Sequence, residues 1–266
     1  MSPAADPDPD PTGRFAVYPS LRDRVVLVSG GATGLGAEFV THFAAQGARV
    51  GFVDVQDDAG RELAEAVAAA GHPRPAYRHA DVRDLTGYQQ VITEIAGELG
   101  PVTVLVNNAA NDARHAPETV DPTFWDERMR VNLDHQYFAT RAVVPMMRAA
   151  GGGSIVNLGS ISTHIKLTEL VVYRTAKSAV EGLTRALAQE LGPDGIRVNC
   201  VIPGWVMTPR QLEHWVDAEA EATIDREQAL SRRVVPADVA RLLLWLAADD
   251  SMACTSQNWI VDGGWM

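Results

Sequence analysis

The chain has 266 residues, is 46% apolar and carries a formal net charge of −11. This length fits one large α/β domain or two small ones, and no apolar run approaches the roughly 18 residues that a membrane span requires. The acidic balance argues against a nucleic-acid partner, and two cysteines, Cys200 and Cys254, make neither a disulfide framework nor a metal cluster. No metal is expected, and both thiols read as small buried hydrophobes.

The first residues, MSPAADPDPDPTGRF, alternate Pro and Asp and cannot bury apolar area. Residues 1–16 are therefore expected to form a disordered tail before one domain over 17–266. They have neither the basic start nor the apolar centre of a secretory leader, so the expected compartment is the cytoplasm.

Strand-like and helix-like runs then alternate. RVVLVS (24–29) is a short apolar run, and LGAEFVTHFAAQG reads as a helix closed by Gly47. ARVGFVD (48–54) is a second strand before a helix that starts near Asp58, and AYRHADV (76–82) a third before LTGYQQVITEIAGELG. VTVLVNNA (102–109) is a fourth; a helix from about Thr123 to Ala150 follows, with Pro145 as the place where it bends or breaks. GSIVNLGS (153–160), IRVNCVIP (196–203) and NWIVDGG (258–264) complete the strands. Between the last two, residues 207–230 are polar and helical in tendency, as a substrate lid would be. Apolar strands alternating with amphipathic helices specify an α/β fold: a doubly wound, Rossmann-type parallel sheet of about seven strands with helices on both faces. Such a sheet binds ligands at the carboxyl ends of its strands.

The first strand runs into SGGATGLGAEF. Gly30, Gly34 and Gly36, with Thr33 and Leu35 between them, permit a tight turn and close approach of backbone to a pyrophosphate at a helix N-terminus. The second strand ends at Asp54, followed by Val55, about 20 residues later, where a carboxylate can accept from both ribose hydroxyls and repel a 2′-phosphate. No Arg or Lys lies between Ser29 and Val40, so the expected cofactor is NAD rather than NADP. The alternative reading is that Asp54 only caps the next helix.

Of 23 basic residues only Lys166 and Lys177 are lysines, and Lys177 stands four residues after Tyr173. On a helix this spacing puts phenol and ammonium on one face. Ala176, Ala179, Leu183, Ala186, Leu187 and Leu191 recur at helical spacing, and Gly192-Pro193 closes the segment. A surface tyrosine packed on a lysine stem would show the same spacing, so the pair alone leaves both readings open.

Taken together, the loop Gly30-x-x-x-Gly34-x-Gly36, NNAA (107–110), Asn132, Ser160, Tyr173-x-x-x-Lys177 and PGWVMT (203–208) resemble the short-chain dehydrogenase/reductase family in order and spacing. The resemblance covers about Tyr18 to Met266. Within that family YPSL (18–21), NDARH (111–115), WDER (125–128), GSIS followed by His164, and TRALAQELGPDGIRVNCVIPG (184–204) are similar to the bacterial NAD-dependent D-xylose 1-dehydrogenases. Four positions depart from the family pattern: Ser29 for Thr, Ala110 for Gly, Gly159 where a second Ser is common, and Ser256 for Gly. None removes a group the chemistry requires.

The resemblance implies an oxidoreductase that oxidises the anomeric C1 hydroxyl of an aldose to a lactone with NAD. Tyr173 is the expected base. A tyrosine has a pKa of about 10, and Lys177 is the fixed cation expected to lower it. Ser160 would hydrogen-bond the reacting oxygen, with Ser162 its competitor. Asn132 resembles the residue that holds a water on a proton path to the lysine, or is simply a polar group satisfied inside a helix. Asp81 and Val82 resemble the adenine contacts, Asn108 and Ala109 the floor beneath the nicotinamide, and Pro203, Gly204, Val206 and Thr208 the segment around the carboxamide and pyrophosphate. Asn111, His164 and Trp205 are the expected sugar contacts, with His115, Glu169, Gln211 and Trp215 close by in sequence to the same strand ends. The expected partners are a small-molecule sugar and further copies of the chain in a homotetramer, with no membrane. L-arabinose, L-fucose and D-galactose stay open as substrates. A ketone or 3-oxoacyl reductase and a non-catalytic nucleotide-sensing protein are the other readings.

Overall fold

The computed structural model describes Asp10 and residues 13–266; the expected tail over 1–16 otherwise lies outside the described residues. Within it, Arg14 N and Phe15 N donate to the Asp10 carboxylate, and the Arg241 guanidinium carbon stands 3.6 Å from the centre of the Phe15 ring. Asp10 and 13–16 therefore pack onto the domain.

Seven strands form one parallel sheet in the order β3-β2-β1-β4-β5-β6-β7. They are β1 (Val25–Ser29), β2 (Arg49–Asp54), β3 (Ala76–His79), β4 (Val104–Asn107), β5 (Gly153–Leu158), β6 (Ile196–Pro203) and β7 (Asn258–Val261). The helices are α1 (Gly34–Ala45), α2 (Asp57–Ala69), α3 (Leu85–Leu99), α4 (Pro122–Met129), α5 (His135–Ala149), α6 (Val171–Leu191), α7 (Pro209–His214), α8 (Ala218–Glu227) and α9 (Pro236–Ala247). No helix among the described residues is long and apolar enough to cross a membrane.

The expected strands are present, several of them shorter. Side chains alternate across a strand, so in β1 Val26 and Val28 enter the core with Phe39, Phe43 and Leu243 of α1 and α9. Val25 and Leu27 enter the opposite core with Ile92, Val143 and Ala188 of α3, α5 and α6. Both faces are covered, which is why the strands read as continuous apolar runs. The strand order reverses between β1 and β4. There Ser29 Oγ accepts from Asn108 N at 3.0 Å and Ala109 N at 3.1 Å, and Asn108 Nδ2 donates to the carbonyls of Ser29 and Gly30. Ser29 thus fastens the two strand ends that frame the crevice.

One helix expectation is corrected. The run from Thr123 to Ala150 does not break at Pro145, which sits inside α5. It breaks at Arg130–Asp134, a π-helical turn between α4 and α5. The cause is Asn132, whose Nδ2 donates to the Arg128 carbonyl one turn back at 2.9 Å and so competes with the backbone ladder.

Candidate active site

The glycine loop leads from β1 into α1. Gly30 has φ +65, and a Cβ there would meet Ala109 Cα at 2.9 Å; a Cβ on Gly36 would fall 1.8 Å from the Gly30 carbonyl oxygen. Gly34 needs its glycine for φ +57 alone. Thr33 occupies the N-cap of α1 without capping it through its side chain; its hydroxyl instead accepts from Gln56 Nε2 at 3.2 Å. With Leu35 in its first turn, α1 presents its N-terminal amides to the crevice, a geometry suited to a pyrophosphate.

Asp54 closes β2 with its carboxylate buried and oriented. Oδ2 accepts from Ala32 N and Oδ1 from Gln56 N, each at 3.0 Å. The Ala32 bond joins it to the glycine loop and the Gln56 bond to the residue that precedes α2, whose N-terminus has no side-chain cap. Val55 follows, exposed. Asp81 and Val82 lie just past β3. Val82 is buried, while the Asp81 carboxylate is forked by Arg83, which holds its pKa below the usual value. The adenine contact expected of Asp81 therefore has to share the carboxylate with Arg83.

Ser160 follows β5 and opens a short turn, Ile161–Thr163. Its Oγ lies 2.9 Å from Ser162 Oγ and accepts from Ser162 N. Ser162 is buried behind it, and the Ser160 hydroxyl interacts with the Tyr173 phenol. Of the two serines, Ser160 is the more exposed and the one that acts on the Tyr173 phenol.

Tyr173 and Lys177 share one face of α6, as their spacing requires. The Lys177 Nζ donates to the Leu158 carbonyl at 2.7 Å and stands 5.7 Å from the centre of the Tyr173 ring. Lys177 is 1% exposed, and burial brings its ammonium down to about 8. Burial pushes the Tyr173 phenol up to about 12, against the pull of Ser160 and with the Asp112 charge adding to the rise. The expected lowering of the phenol is thus not a property of the chain by itself: Lys177 spends its ammonium on the β5 carbonyl, and dehydration of the ring dominates.

Asn132 is fully buried in the π turn. Its Oδ1 accepts from Asn111 N at 2.8 Å and its Nδ2 donates to Asn111 O at 3.1 Å. The side chain is committed to holding the loop after β4, an amide satisfied within the protein. Sequence reasoning missed the neighbouring His135, whose Nε2 lies 3.0 Å from the Ala109 carbonyl. Burial, and then the charge of Lys177, lowers this imidazole to about 3, so it is neutral and its Nε2–H donates to that carbonyl, fixing the floor at Ala109.

At the far side, Pro203 ends β6 and Gly204 packs on Asp262, leaving no room for a Cβ. Val206 is buried and bridges Val234, and Thr208 caps α7 by accepting from Gln211 N. Trp205 Nε1 donates to Gln211 Oε1 at 3.0 Å, and Gln211 Nε2 to Asp112 Oδ2 at 3.0 Å. His164, an expected sugar contact, is held by α6: its Nε2 pairs with Glu181 Oε1 at 2.8 Å, and Glu181 also accepts from Thr163 and Asn258. A buried carboxylate one turn beyond Lys177 draws the imidazole to itself, and no motif signals that partner. His115 is likewise engaged, receiving Val172 N and packing on Phe124.

The carboxyl ends of β1, β2, β4, β5 and β6 thus bring together a dinucleotide cradle, a hydroxyl, a phenol and a buried amine. Comparison with known proteins agrees. The family model described as enoyl-(acyl carrier protein) reductase matches residues 30–266. The chain is 48% identical to the D-xylose 1-dehydrogenase of Caulobacter vibrioides, over 94% of this chain and 98% of that one. It is 46% identical to a Rhizobium meliloti protein assigned as a galactose dehydrogenase, over 93% and 96%. Among solved structures, a 3-oxoacyl-[acyl-carrier protein] reductase with bound NAD from Brucella melitensis superposes with a TM-score of 0.84 at 30% identity, covering 94% of each chain. By these matches, the chain belongs to the short-chain dehydrogenase/reductase family.

Proposed function

We propose that this protein oxidises the anomeric C1 hydroxyl of an aldose, D-xylose or a related sugar, to a lactone with NAD. The observation that carries the reading is the Ser160, Tyr173 and Lys177 cluster at the strand ends beside Asn108 and Ala109, in a chain 48% identical to a D-xylose 1-dehydrogenase. NAD, when bound, accepts the hydride from C1 and brings a positive charge toward the phenol. Tyr173 takes the proton of the C1 hydroxyl, Ser160 hydrogen-bonds the same oxygen as charge develops, and Lys177 holds positive charge close to the ring. The released lactone opens with water to an aldonic acid.

Asp54 favours NAD over NADP, because a carboxylate fixed by Ala32 N and Gln56 N accepts from ribose hydroxyls and repels a phosphate. The same residue disfavours an NADPH-dependent ketone or 3-oxoacyl reductase, and an intact Ser/Tyr/Lys set has no use in a nucleotide sensor. We also assign a homotetramer built through α4, α5 and α6, supported by the exposed Trp125, Tyr137 and Val171 on those helices; light scattering that finds a monomer overturns it. The test of function is to mix the protein with NAD and a panel of aldoses and follow absorbance of the reduced cofactor. Turnover with pentoses is expected. Turnover only of ketones with NADPH, or binding without turnover, rejects the reading.

A further inference from the structure

We infer that Asp112 is a specificity-determining residue, fastening α7 over the site and reserving it for neutral polyhydroxylated substrates. The inference rests on the aldose reading above. Asp112 lies on the loop after β4, whose inner end Asn132 pins through both backbone groups of Asn111. On its outer side the loop grips the lid segment at two points. Asp112 Oδ1 pairs with Arg210 Nη2 at 3.1 Å and Oδ2 accepts from Gln211 Nε2 at 3.0 Å. Arg114 places its guanidinium carbon 4.4 Å from the centre of the Trp215 ring.

The clasp continues inward, because the Gln211 amide that donates to Asp112 accepts from Trp205, and the charge of Asp112 reaches both Tyr173 and Lys177. A carboxylate offers about four acceptor positions. Arg210 and Gln211 occupy one on each oxygen, which leaves each oxygen able to accept a sugar hydroxyl. A carboxylate, a guanidinium, an amide and an indole joined in one hydrogen-bonded row, whose charge reaches the base, suit a ring that carries hydroxyls and no charge. A substrate bearing its own carboxylate meets the Asp112 charge, and the Arg210 guanidinium beside that charge is already paired.

The matched probes are D-xylose and D-glucuronate, the same ring without and with a carboxylate. The wild-type enzyme is expected to prefer D-xylose strongly in kcat/KM. Asp112→Asn, which unpairs Arg210, is expected to raise KM for D-xylose and to shrink the preference at least tenfold, the scale of removing a like-charge juxtaposition, with the Kd for NAD unchanged. A preference that stays constant in the variant, or a loss shared equally by NAD binding, overturns the inference. If the wild type turns over no aldose, the sugar reading fails separately. Hydrogen exchange at residues 209–214 then decides the clasp: faster exchange in Asp112→Ala supports it, and unchanged exchange overturns it.

Discussion

Lys177 stands one helical turn from Tyr173, its ammonium 5.7 Å from the ring centre, yet it donates to Leu158 rather than to the phenol. With the phenol held up at about 12 and the amine brought down to about 8, deprotonation of Tyr173 depends on positive charge near the ring. Oxidation requires the proton to leave, so kcat should rise with pH toward a plateau. Replacing Lys177 by Met should cost at least a hundredfold in kcat, the usual scale for acid–base machinery, and move the rise to higher pH. A pH profile of unchanged shape in the variant rejects this electrostatic account.

The same burial predicts an opposite effect on stability. The folded-state value of Lys177 lies below its ordinary 10.5, at about 8. Between these values the unfolded chain binds more protons, so stability rises with pH across that window and the full cost of the buried charge is carried below it. Lys177→Met should therefore raise Tm at pH 7 by a few degrees even as it lowers kcat. Thermal melts at pH 7 and above 10 check the sign.

Gly36 and Gly34 separate two reasons for a glycine. A Cβ on Gly36 would overlap the Gly30 carbonyl at 1.8 Å, whereas one on Gly34 meets nothing nearer than Thr208 at 3.9 Å and suffers only from φ +57. Gly36→Ala should abolish nucleotide binding by calorimetry. Gly34→Ala should keep binding and lose about 1–2 kcal/mol of stability, the cost of a left-handed conformation.

What the sequence made legible followed periodicity and local chemistry. The strands of the sheet, the loop glycines and the Tyr173–Lys177 face are each written within one segment. What escaped it depends on contacts between distant segments. The π turn exists because Asn132 reaches Asn111 and Arg128 together. His164 turns to Glu181, seventeen residues away on α6. Asp112 acquires its role only when α7 folds back onto it. Gly159 is the reverse case: an apparent departure from the family pattern that the fold explains, since a Cβ there would sit 2.8 Å from the Cys200 sulfur.

Asp54 should govern cofactor choice. Its two backbone donors fix the carboxylate in place, so removing it deletes both the ribose acceptor and the charge that repels a 2′-phosphate. Asp54→Ala should lower kcat/KM for NAD at least tenfold, consistent with loss of charge-assisted hydrogen bonds, and narrow the ratio of NAD to NADP use. Unchanged use of NAD rejects the assignment.

Asn132→Ala would remove three hydrogen bonds at once, leaving the Asn111 amide and carbonyl and the Arg128 carbonyl without it. A buried polar group left unpaired costs about 1–3 kcal/mol, so denaturant unfolding should show a loss of at least that size. Because the freed loop carries Asn111 and Asp112, KM for sugar should rise more than Kd for NAD. Equal effects on both ligands would mean that the loop positions neither specifically.

Ser256 adopts φ +63 just before β7, with its amide donating to the Val198 carbonyl at 2.7 Å. The turn is fixed by that bond and by Thr255, whose hydroxyl accepts from Val198 N, so the chain holds a left-handed residue with a side chain. Such a conformation costs about 1–2 kcal/mol outside glycine, partly offset by the greater freedom of glycine in the unfolded chain. Ser256→Gly should therefore raise stability by about 1 kcal/mol in denaturant titration with kcat and KM unchanged. A drop in stability would mean that the serine side chain contributes a contact worth more than the strain it imposes.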